Sequence, residues 1–240
     1  MSSQTGLTQK PIFPPLFRGL AVSAFGDPFL KAISAAMSND DPGLITYSED
    51  VSCLNAAMTF APEMPLEQSL GAIFVVLLGF ADSLGSLAPP EVAVHFVWPD
   101  TIKVNGARCG KLKFQASTND PSEEPDWLVI GLNIPFIAEE NWDPGHSPHE
   151  TVLMHEGCVD LTPLTLLESW SKHSLVWMNR FLDDGFEPVH RAWCEKCDSI
   201  GEPVNYPEKG QFMGLDELGN MILRTKKNTI TLRTVDFQES

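Results

Sequence analysis

Basic residues are scarce in this 240-residue chain, where 16 lysines and arginines stand against 32 aspartates and glutamates. The resulting formal charge of −16 repels phosphate backbones and anionic lipid headgroups. The composition therefore argues against a nucleic-acid partner and against binding to a membrane surface. Acidity otherwise governs mainly solubility, so it identifies no partner by itself.

The chain also lacks a long hydrophobic run and a recognisable targeting segment. Its most apolar stretch, residues 70–81, is shorter than the roughly 20 residues that a membrane-spanning helix needs, which predicts a buried core helix. The first 17 residues contain no cationic segment followed by an apolar run, which argues against a signal peptide. Five cysteines, an odd number in a chain of this size, predict reduced thiols and a cytoplasmic location.

Common catalytic signatures are missing as well. There is no Gly-rich phosphate loop and no Gly-x-Ser-x-Gly nucleophile elbow. Cys194 and Cys197 form a lone Cys-x-x-Cys with His190 upstream. A structural zinc site needs about four protein ligands. Because the second pair is absent, packing or solvent-facing thiols are favoured over zinc.

A second cluster of possible metal ligands lies at residues 146–155 and leaves a metal-dependent hydrolase as a remote alternative. Zinc hydrolases place two histidines one helical turn apart, whereas His149 and His155 are six residues apart. Surface positions are therefore the favoured interpretation. The residues that would build such a site are His146, His149, Glu150 and His155.

The order of predicted elements indicates an α+β fold, with helices packed on a mixed or antiparallel sheet. Asn105-Gly106 between two alternating apolar runs predicts a tight hairpin. Residues 1–17 are expected to form an extended arm. We predict a domain at 1–200 and a small β-barrel-like domain at 201–240. Helices are expected at 25–37, 66–87, 166–181 and 186–197, and strands at 44–48, 53–60, 92–98, 102–104, 108–116, 127–134, 212–215, 220–224 and 229–235.

The predicted hairpin carries an unusual concentration of positive charge for so acidic a chain. Lys103, Arg108, Lys111 and Lys113 lie within eleven residues. Such a cluster can hold a carboxylate or a phosphate. Charge alone favours this anion site and a solvated hairpin equally.

The same segment resembles the biotin/lipoate protein ligases. Their signature is Lys-Trp-Pro-Asn-Asp, a short hairpin often containing Asn-Gly, and then a lysine followed by a Gly-Gly pair. Trp98-Pro99, Asn105-Gly106 and Gly110 match it, and Arg108 falls on the catalytic lysine. Residues 127–131, the helices from 166 to 197 and the tail at 201–240 are also similar to that family. The resemblance implies a class II synthetase-like fold that uses ATP and Mg²⁺ to form an acyl-adenylate. The acyl group then passes to a lysine of an acceptor protein.

Several departures from the family pattern fall on the parts that carry this chemistry. Residues 49–55 stand where a Gly-Arg-Gly-Arg loop is expected, yet they contain neither glycine nor arginine. Arginine also cannot supply the compact ammonium contact of the family's lysine. We therefore expect poor ligase activity. The other departures are Val97 for lysine, Asp100-Thr101 for Asn-Asp, Lys111 for the second glycine and Pro135 for a strand-end asparagine.

The resemblance predicts a divergent ligase-like protein that binds a small carboxylic acid or its adenylate. The alternative is a catalytically inactive ligase-fold protein that binds other proteins, and homodimerisation stays open. The predicted catalytic residues are Arg108 and Asp100, with no metal ligand assigned. The predicted ligand-binding residues are Trp98, Pro99, Gly110, Lys111, Gly131 and Asn133.

Overall fold

A seven-stranded mixed sheet forms the centre of the fold in the computed structural model, which describes residues 10–38, 42–138, 142 and 147–239. The first two strands of the chain, which lie side by side at one edge of the sheet, run parallel. Every other neighbouring pair is antiparallel. In spatial order the strands are β1 (Arg18–Val22), β2 (Leu44–Ser48), β3 (Cys53–Phe60), β7 (Leu128–Pro135), β6 (Ala107–Ala116), β5 (Thr101–Val104) and β4 (Val94–Val97).

The hairpin between β5 and β6 turns at the predicted Asn-Gly pair. Asn105 has φ 49° and Gly106 has φ 88°, the positive values that two-residue hairpin turns require. The Asn105 side chain accepts a hydrogen bond from the Ala93 backbone N–H at 2.9 Å. It also donates to the Glu156 carboxylate at 2.8 Å. The turn is therefore fixed against two other parts of the chain.

Helices cover both faces of the sheet. Helix α1 (Pro28–Ala36) begins after Asp27, whose carboxylate accepts from the Phe29 N–H at 2.8 Å. Its apolar face packs Phe29 against Ala57 and Val129 of the sheet. The remaining helices are α2 (Leu66–Ser69), α3 (Gly71–Leu87), α4 (Pro163–Asp184) and α5 (Glu187–Lys196).

Helix α3 is the core helix that the apolar stretch predicts. The combined helix Leu66–Leu87 is long and apolar enough to cross a membrane, but 78% of its most apolar window is buried inside the protein. Helix α4 crosses it closely, and the Trp170 indole N–H donates to the Val76 carbonyl at 3.1 Å. Helix α5 packs nearby, where the ring of Trp193 stacks on Phe96 of β4 with 5.9 Å between the ring centroids. The burial confirms the prediction.

The C-terminal residues form a second, four-stranded antiparallel sheet in the order β11-β10-β9-β8. After the sheet, the chain returns to the first one. The Glu239 N–H donates to the Phe114 carbonyl at 2.9 Å, and the Gln238 side chain accepts from the Ala116 N–H at 2.7 Å. The strands are β8 (Pro203–Val204), β9 (Gly210–Leu215), β10 (Met221–Arg224) and β11 (Thr229–Leu232).

The predicted α+β architecture with a C-terminal β unit is confirmed, whereas the boundary at residues 200 and 201 stays a prediction. Three details of the element prediction were wrong. Strand β1 was missed, because its five residues alternate only weakly in burial. The first helix begins at Pro28, since a turn from Ser23 to Gly26 precedes it. The strand expected at 229–235 ends at Leu232 and gives way to a 3-10 turn.

Candidate functional site

An open cavity of about 640 Å³, here called the Arg108 cavity, lies over one side of strands β5, β6 and β7. Five of the eight predicted site residues line it: Asp100, Arg108, Gly110, Lys111 and Asn133. The other wall residues are Thr101, Cys109, Pro135, Ile137, Trp142, Glu150, Thr151, Val152 and Tyr206.

Two of the four hairpin lysines and arginines point away from this cavity. Lys103 pairs with Asp198 at 2.5 Å. Lys113 pairs with Asp27 at 3.1 Å and lies over the Phe29 ring at 4.5 Å from its centroid. These two cations stabilise the contacts of the sheet with the segment after α5 and with the N-terminus of α1. They are therefore unavailable to a ligand in the Arg108 cavity.

The other two cations, Arg108 and Lys111, line the Arg108 cavity with exposed side chains. Neither has an ion-pair partner within the described part of the chain. The Arg108 backbone is fixed from both sides: its N–H donates to the His149 carbonyl at 2.8 Å, and its carbonyl accepts from the Thr151 N–H at 2.9 Å. Lys111 lies directly across from Asn133 on β7. Strand β6 thus presents the positive charges of Arg108 and Lys111 to the Arg108 cavity.

Asp100 brings a partly buried carboxylate to the same cavity. Burial raises the pKa of this group, while the Thr101 hydroxyl, Lys111 and Arg108 each act to lower it. The Thr101 hydroxyl donates to Asp100 Oδ1 at 3.0 Å. The raised pKa means that desolvation outweighs the two nearby cations, so the folded chain carries a destabilised negative charge at neutral pH.

We expect Asp100→Asn to raise the melting temperature at pH 7. The folded-state pKa of Asp100 lies above its unfolded value, so ionisation destabilises the fold as pH rises through that interval. Below the unfolded pKa the carboxyl is neutral in both states, and the gain should vanish. Melting curves of the two proteins from acid to neutral pH measure this difference. An advantage of the variant that is equal at all pH values would contradict the desolvation account.

The two predicted glycines are explained by packing within the protein. A Cβ on Gly110 would lie 2.6 Å from the Asn133 carbonyl oxygen and 2.5 Å from Ile134 Cδ1. A Cβ on Gly131 would lie 2.7 Å from Phe29 Cδ2. Gly110 therefore permits the close approach of β6 to β7, and Gly131 makes room for α1. Gly131 does not line the Arg108 cavity, so its predicted ligand contact has no support in this geometry.

Trp98 and Pro99 also lie outside the cavity wall. The Trp98 side chain is 3% exposed, and its indole N–H donates to the Gly219 carbonyl at 3.0 Å. Its ring meets Phe237 edge-on at 4.9 Å. The tryptophan thus attaches the C-terminal sheet to the end of β4. Its predicted role in ligand binding stays a prediction.

Trp98→Phe should lower the free energy of unfolding by about 1 kcal/mol, the net contribution of one hydrogen bond. It should also speed hydrogen exchange in residues 219–237, since the lost bond holds that segment. Hydrogen-exchange mass spectrometry measures the exchange rate in residues 219–237. Trp127→Phe is the matched control, because the Trp127 indole N–H has no hydrogen-bond partner among the residues described. Equal exchange in the two variants would contradict the anchoring role.

Comparison with known proteins identifies the scaffold. Residues 13–195 match the model of the biotin/lipoate A/B protein ligase family. The chain belongs to that family. The biotin–[acetyl-CoA-carboxylase] ligase of Paracoccus denitrificans is 26% identical over 181 residues, which cover 70% of this chain and 75% of the relative.

Solved structures agree with this assignment. A biotin protein ligase-like protein of unknown function from Silicibacter sp. TM1040 superposes with a TM-score of 0.90 at 39% identity, covering 96% of this chain and 100% of the other. The biotin protein ligase of Aquifex aeolicus in complex with biotin and ATP superposes with a TM-score of 0.70 at 14% identity, covering 92% and 97%. The second likeness shows the fold alone.

A tight turn, residues 49–52, connects β2 and β3. The Asp50 carboxylate accepts from the Ser52 N–H and hydroxyl, both at 2.8 Å, and these bonds lower the pKa of Asp50. The Ser52 carbonyl in turn accepts from the Phe136 and Ile137 N–H groups at 2.8 and 3.1 Å. The turn is therefore pinned to the end of β7 and carries negative charge.

A second cavity of about 370 Å³, here called the Tyr47 cavity, opens beside this turn. Ile137 lines both cavities. The walls of the Tyr47 cavity are mostly apolar. The lining residues are Lys10, Pro11, Ala21, Tyr47, Ser48, Glu49, Asp50, Val51, Phe136, Ile137, Met154, Leu161, Thr162, Pro163 and Leu164.

The remaining clusters named from the sequence form no metal centre within the described ranges, where no three His, Cys, Asp or Glu side chains stand close enough to hold a metal. His146 lies outside the described residues. All five cysteines are free, and Cys194 Sγ lies 3.9 Å from His190 Nε2. Burial raises the pKa of Cys109, which lines the Arg108 cavity, so this thiol stays protonated.

The sequence missed residues that reach the Arg108 cavity from distant segments. Tyr206 comes from the C-terminal unit, and Trp142, Glu150 and Thr151 come from the connection between β7 and α4. Glu150 was considered only as a metal ligand, yet it lies in a short parallel bridge with Arg108. No local pattern marks these positions, because only the folded chain brings them beside β6.

Proposed function

We propose that this family member binds a small carboxylic acid, or the acyl-adenylate of one, in the Arg108 cavity. One observation carries the proposal: Arg108 and Lys111, on one strand, line a single open space in a chain of net charge −16. Carboxylates and phosphates are the groups that such a pair of cations binds best. The Aquifex aeolicus ligase, solved with biotin and ATP, supports this ligand class by its common fold.

The side chains present suit the triphosphate and metal that an adenylation reaction needs. ATP would supply the adenylyl group that activates the acid, with pyrophosphate as the leaving group. Arg108 and Lys111 would face its phosphates, and Asp100, one of two carboxylates in the cavity wall, would hold Mg²⁺. Trp142 and Tyr206 add aromatic faces to the wall, where a planar base would find apolar contact.

We further propose that the chain is a poor ligase. Glu49 and Asp50 stand where the resemblance to the family implies a cationic loop, and both line the Tyr47 cavity. Negative groups there would repel the phosphate charge that develops during adenylation. The loss of a single preorganised donor lowers kcat by about 100- to 1000-fold. Arginine at the position of the family's lysine is a second unfavourable change.

Adenylate formation tests the proposal on catalysis. We expect ATP–pyrophosphate exchange with biotin, lipoate or octanoate to be at least about 100-fold slower than that of the Paracoccus denitrificans ligase assayed in parallel. A thermal-shift screen of the same acids and of ATP measures binding independently. Exchange as fast as that of the Paracoccus enzyme would contradict the loss of activity. Absence of any binding would overturn the ligand site and leave a protein-binding module as the remaining function.

A further inference from the structure

The Glu156 carboxylate joins two segments of the chain that meet beside Arg108. One of its oxygens accepts from the Asn105 side-chain amide at 2.8 Å, and the other accepts from the Thr151 hydroxyl. Asn105 forms the turn of the hairpin, and Thr151 lies in the connection between β7 and α4. The Glu156 side chain itself is half-buried and lines neither of the two cavities described above. A ligand in the Arg108 cavity would therefore not touch it.

The same two segments hold the backbone of Arg108 between them. The Arg108 N–H donates to the His149 carbonyl, and the Arg108 carbonyl accepts from the Thr151 N–H. Thr151 is 7% exposed and stands in the wall of the Arg108 cavity. Hydrogen bonds thus form a continuous path from the hairpin turn through Glu156 and Thr151 to Arg108. Networks of this kind couple their members, so the loss of one bond weakens the others.

Only a carboxylate satisfies both donors that converge on residue 156. Asn105 cannot reverse its amide without losing a second bond, because its oxygen accepts from the Ala93 N–H at 2.9 Å. An amide at residue 156 would accept from one of the two donors and set its own NH2 group against the other. The hydrogen-bonding pattern therefore requires the negative charge at this position.

That negative charge is unfavourable for the ligand class proposed above. Burial, and after it the charge of Glu156, raises the pKa of the Cys109 thiol in the wall of the Arg108 cavity, which shows that the carboxylate acts on this wall. An anion in the cavity would be repelled by it. The contribution of Glu156 to an anion site must then come from the structure that it holds.

We propose that Glu156 is a positioning residue for the anion site in the Arg108 cavity. Its two hydrogen bonds fix the wall at Thr151 relative to the hairpin, and they thereby fix the backbone from which the Arg108 guanidinium extends. The inference rests on the proposed function, because the affinity of the anion bound at Arg108 reports the positioning.

An isosteric exchange of the carboxylate tests this assignment in the full chain. Glu156→Gln removes a negative charge, so electrostatics alone predicts tighter binding of an anionic, non-hydrolysable biotinyl-adenylate mimic. Positioning predicts the opposite sign. We expect the affinity in calorimetric titration to fall about tenfold, the effect of one charge-assisted hydrogen bond. The melting temperature should fall by only about 3 °C, so the variant stays folded during the titration.

Transfer of the carboxylate to the hairpin turn provides the rescue. In the double variant Asn105→Asp/Glu156→Gln, the new amide at residue 156 would donate to the new carboxylate and still accept from Thr151. Aspartate before glycine suits the same turn, and the net charge equals that of the parent chain. We expect the double variant to bind the mimic within about twofold of the parent, since the two changes compensate each other. Asn105→Asp alone sets two carboxylates against each other and should weaken binding.

The outcomes separate this inference from the proposed function. Glu91→Gln removes an exposed carboxylate that lines neither cavity and should leave the affinity unchanged. Tighter binding in Glu156→Gln, or an unchanged affinity with a lower melting temperature, would overturn the positioning role while sparing the ligand site. A double variant that melts like the parent but binds as weakly as Glu156→Gln would overturn it too. Absence of binding by the parent chain would overturn both proposals.

Discussion

Gly79→Ala is expected to lower the free energy of unfolding by about 2–3 kcal/mol, the range for overpacking a close contact. At this residue α3 approaches α4 so closely that an added Cβ would lie 2.7 Å from the Ser174 backbone nitrogen and 2.8 Å from its Cα. Backbone atoms cannot rotate away as side chains do. The two helices would therefore have to separate, and the buried contacts around them would be lost.

Gly85→Ala is the matched control, because it makes the same substitution in the same helix. A Cβ there has nothing within 4 Å, and the residue is exposed. Alanine favours helix over glycine by about 0.8–1 kcal/mol, so this variant should be more stable than the parent chain. Urea unfolding followed by circular dichroism measures both variants. Similar changes of the same sign would show that the close crossing of α3 and α4 is not as described.

The second large effect concerns ligand binding in the Arg108 cavity. Arg108→Ala combined with Lys111→Ala should weaken binding of a non-hydrolysable biotinyl-adenylate mimic by about 100-fold, since each charge-assisted contact contributes about 1.5–3 kcal/mol before losses to exposure. Each single variant should lose about tenfold. Calorimetric titration at constant ionic strength provides the dissociation constants.

Lys172→Ala controls for the change in net charge. Lys172 is an exposed residue of α4 and lines none of the cavities described here. If its loss weakened the mimic as much as the loss of Lys111, long-range attraction rather than contact would explain the binding. An unchanged affinity in the double variant would place the ligand elsewhere on the protein.

Most of the fold follows from local patterns in the sequence. Asn105-Gly106 predicts the hairpin because both residues tolerate positive φ. The unbroken apolar character of residues 70–81 predicts a helix buried on every side. Strand β1 escapes such reasoning, since it lies at the sheet edge and only part of one face is buried.

The candidate site was predictable where it lies on one hairpin. Asp100, Arg108, Gly110 and Lys111 are neighbours in sequence, and a hairpin keeps them neighbours in space. Trp98 belongs to the same segment, but its ring is directed toward the C-terminal sheet, a contact that sequence spacing does not encode. Direction of a side chain depends on its partners across the fold.

The Tyr47 cavity shows the opposite situation. The acidic residues of its turn are visible in the sequence, yet the cavity itself is built from six separate segments, which include β2, the residues after β7 and the start of α4. Only the folded structure shows the space that opens beside this turn.

The most direct test of the account is a titration of the unmodified full chain with the biotinyl-adenylate mimic, repeated in the presence of saturating octanoate. The account predicts saturable binding at a single site and competition between the two ligands, because both would place their anionic groups at Arg108 and Lys111. No heat of binding at millimolar mimic, or binding that octanoate leaves unaffected, would contradict it.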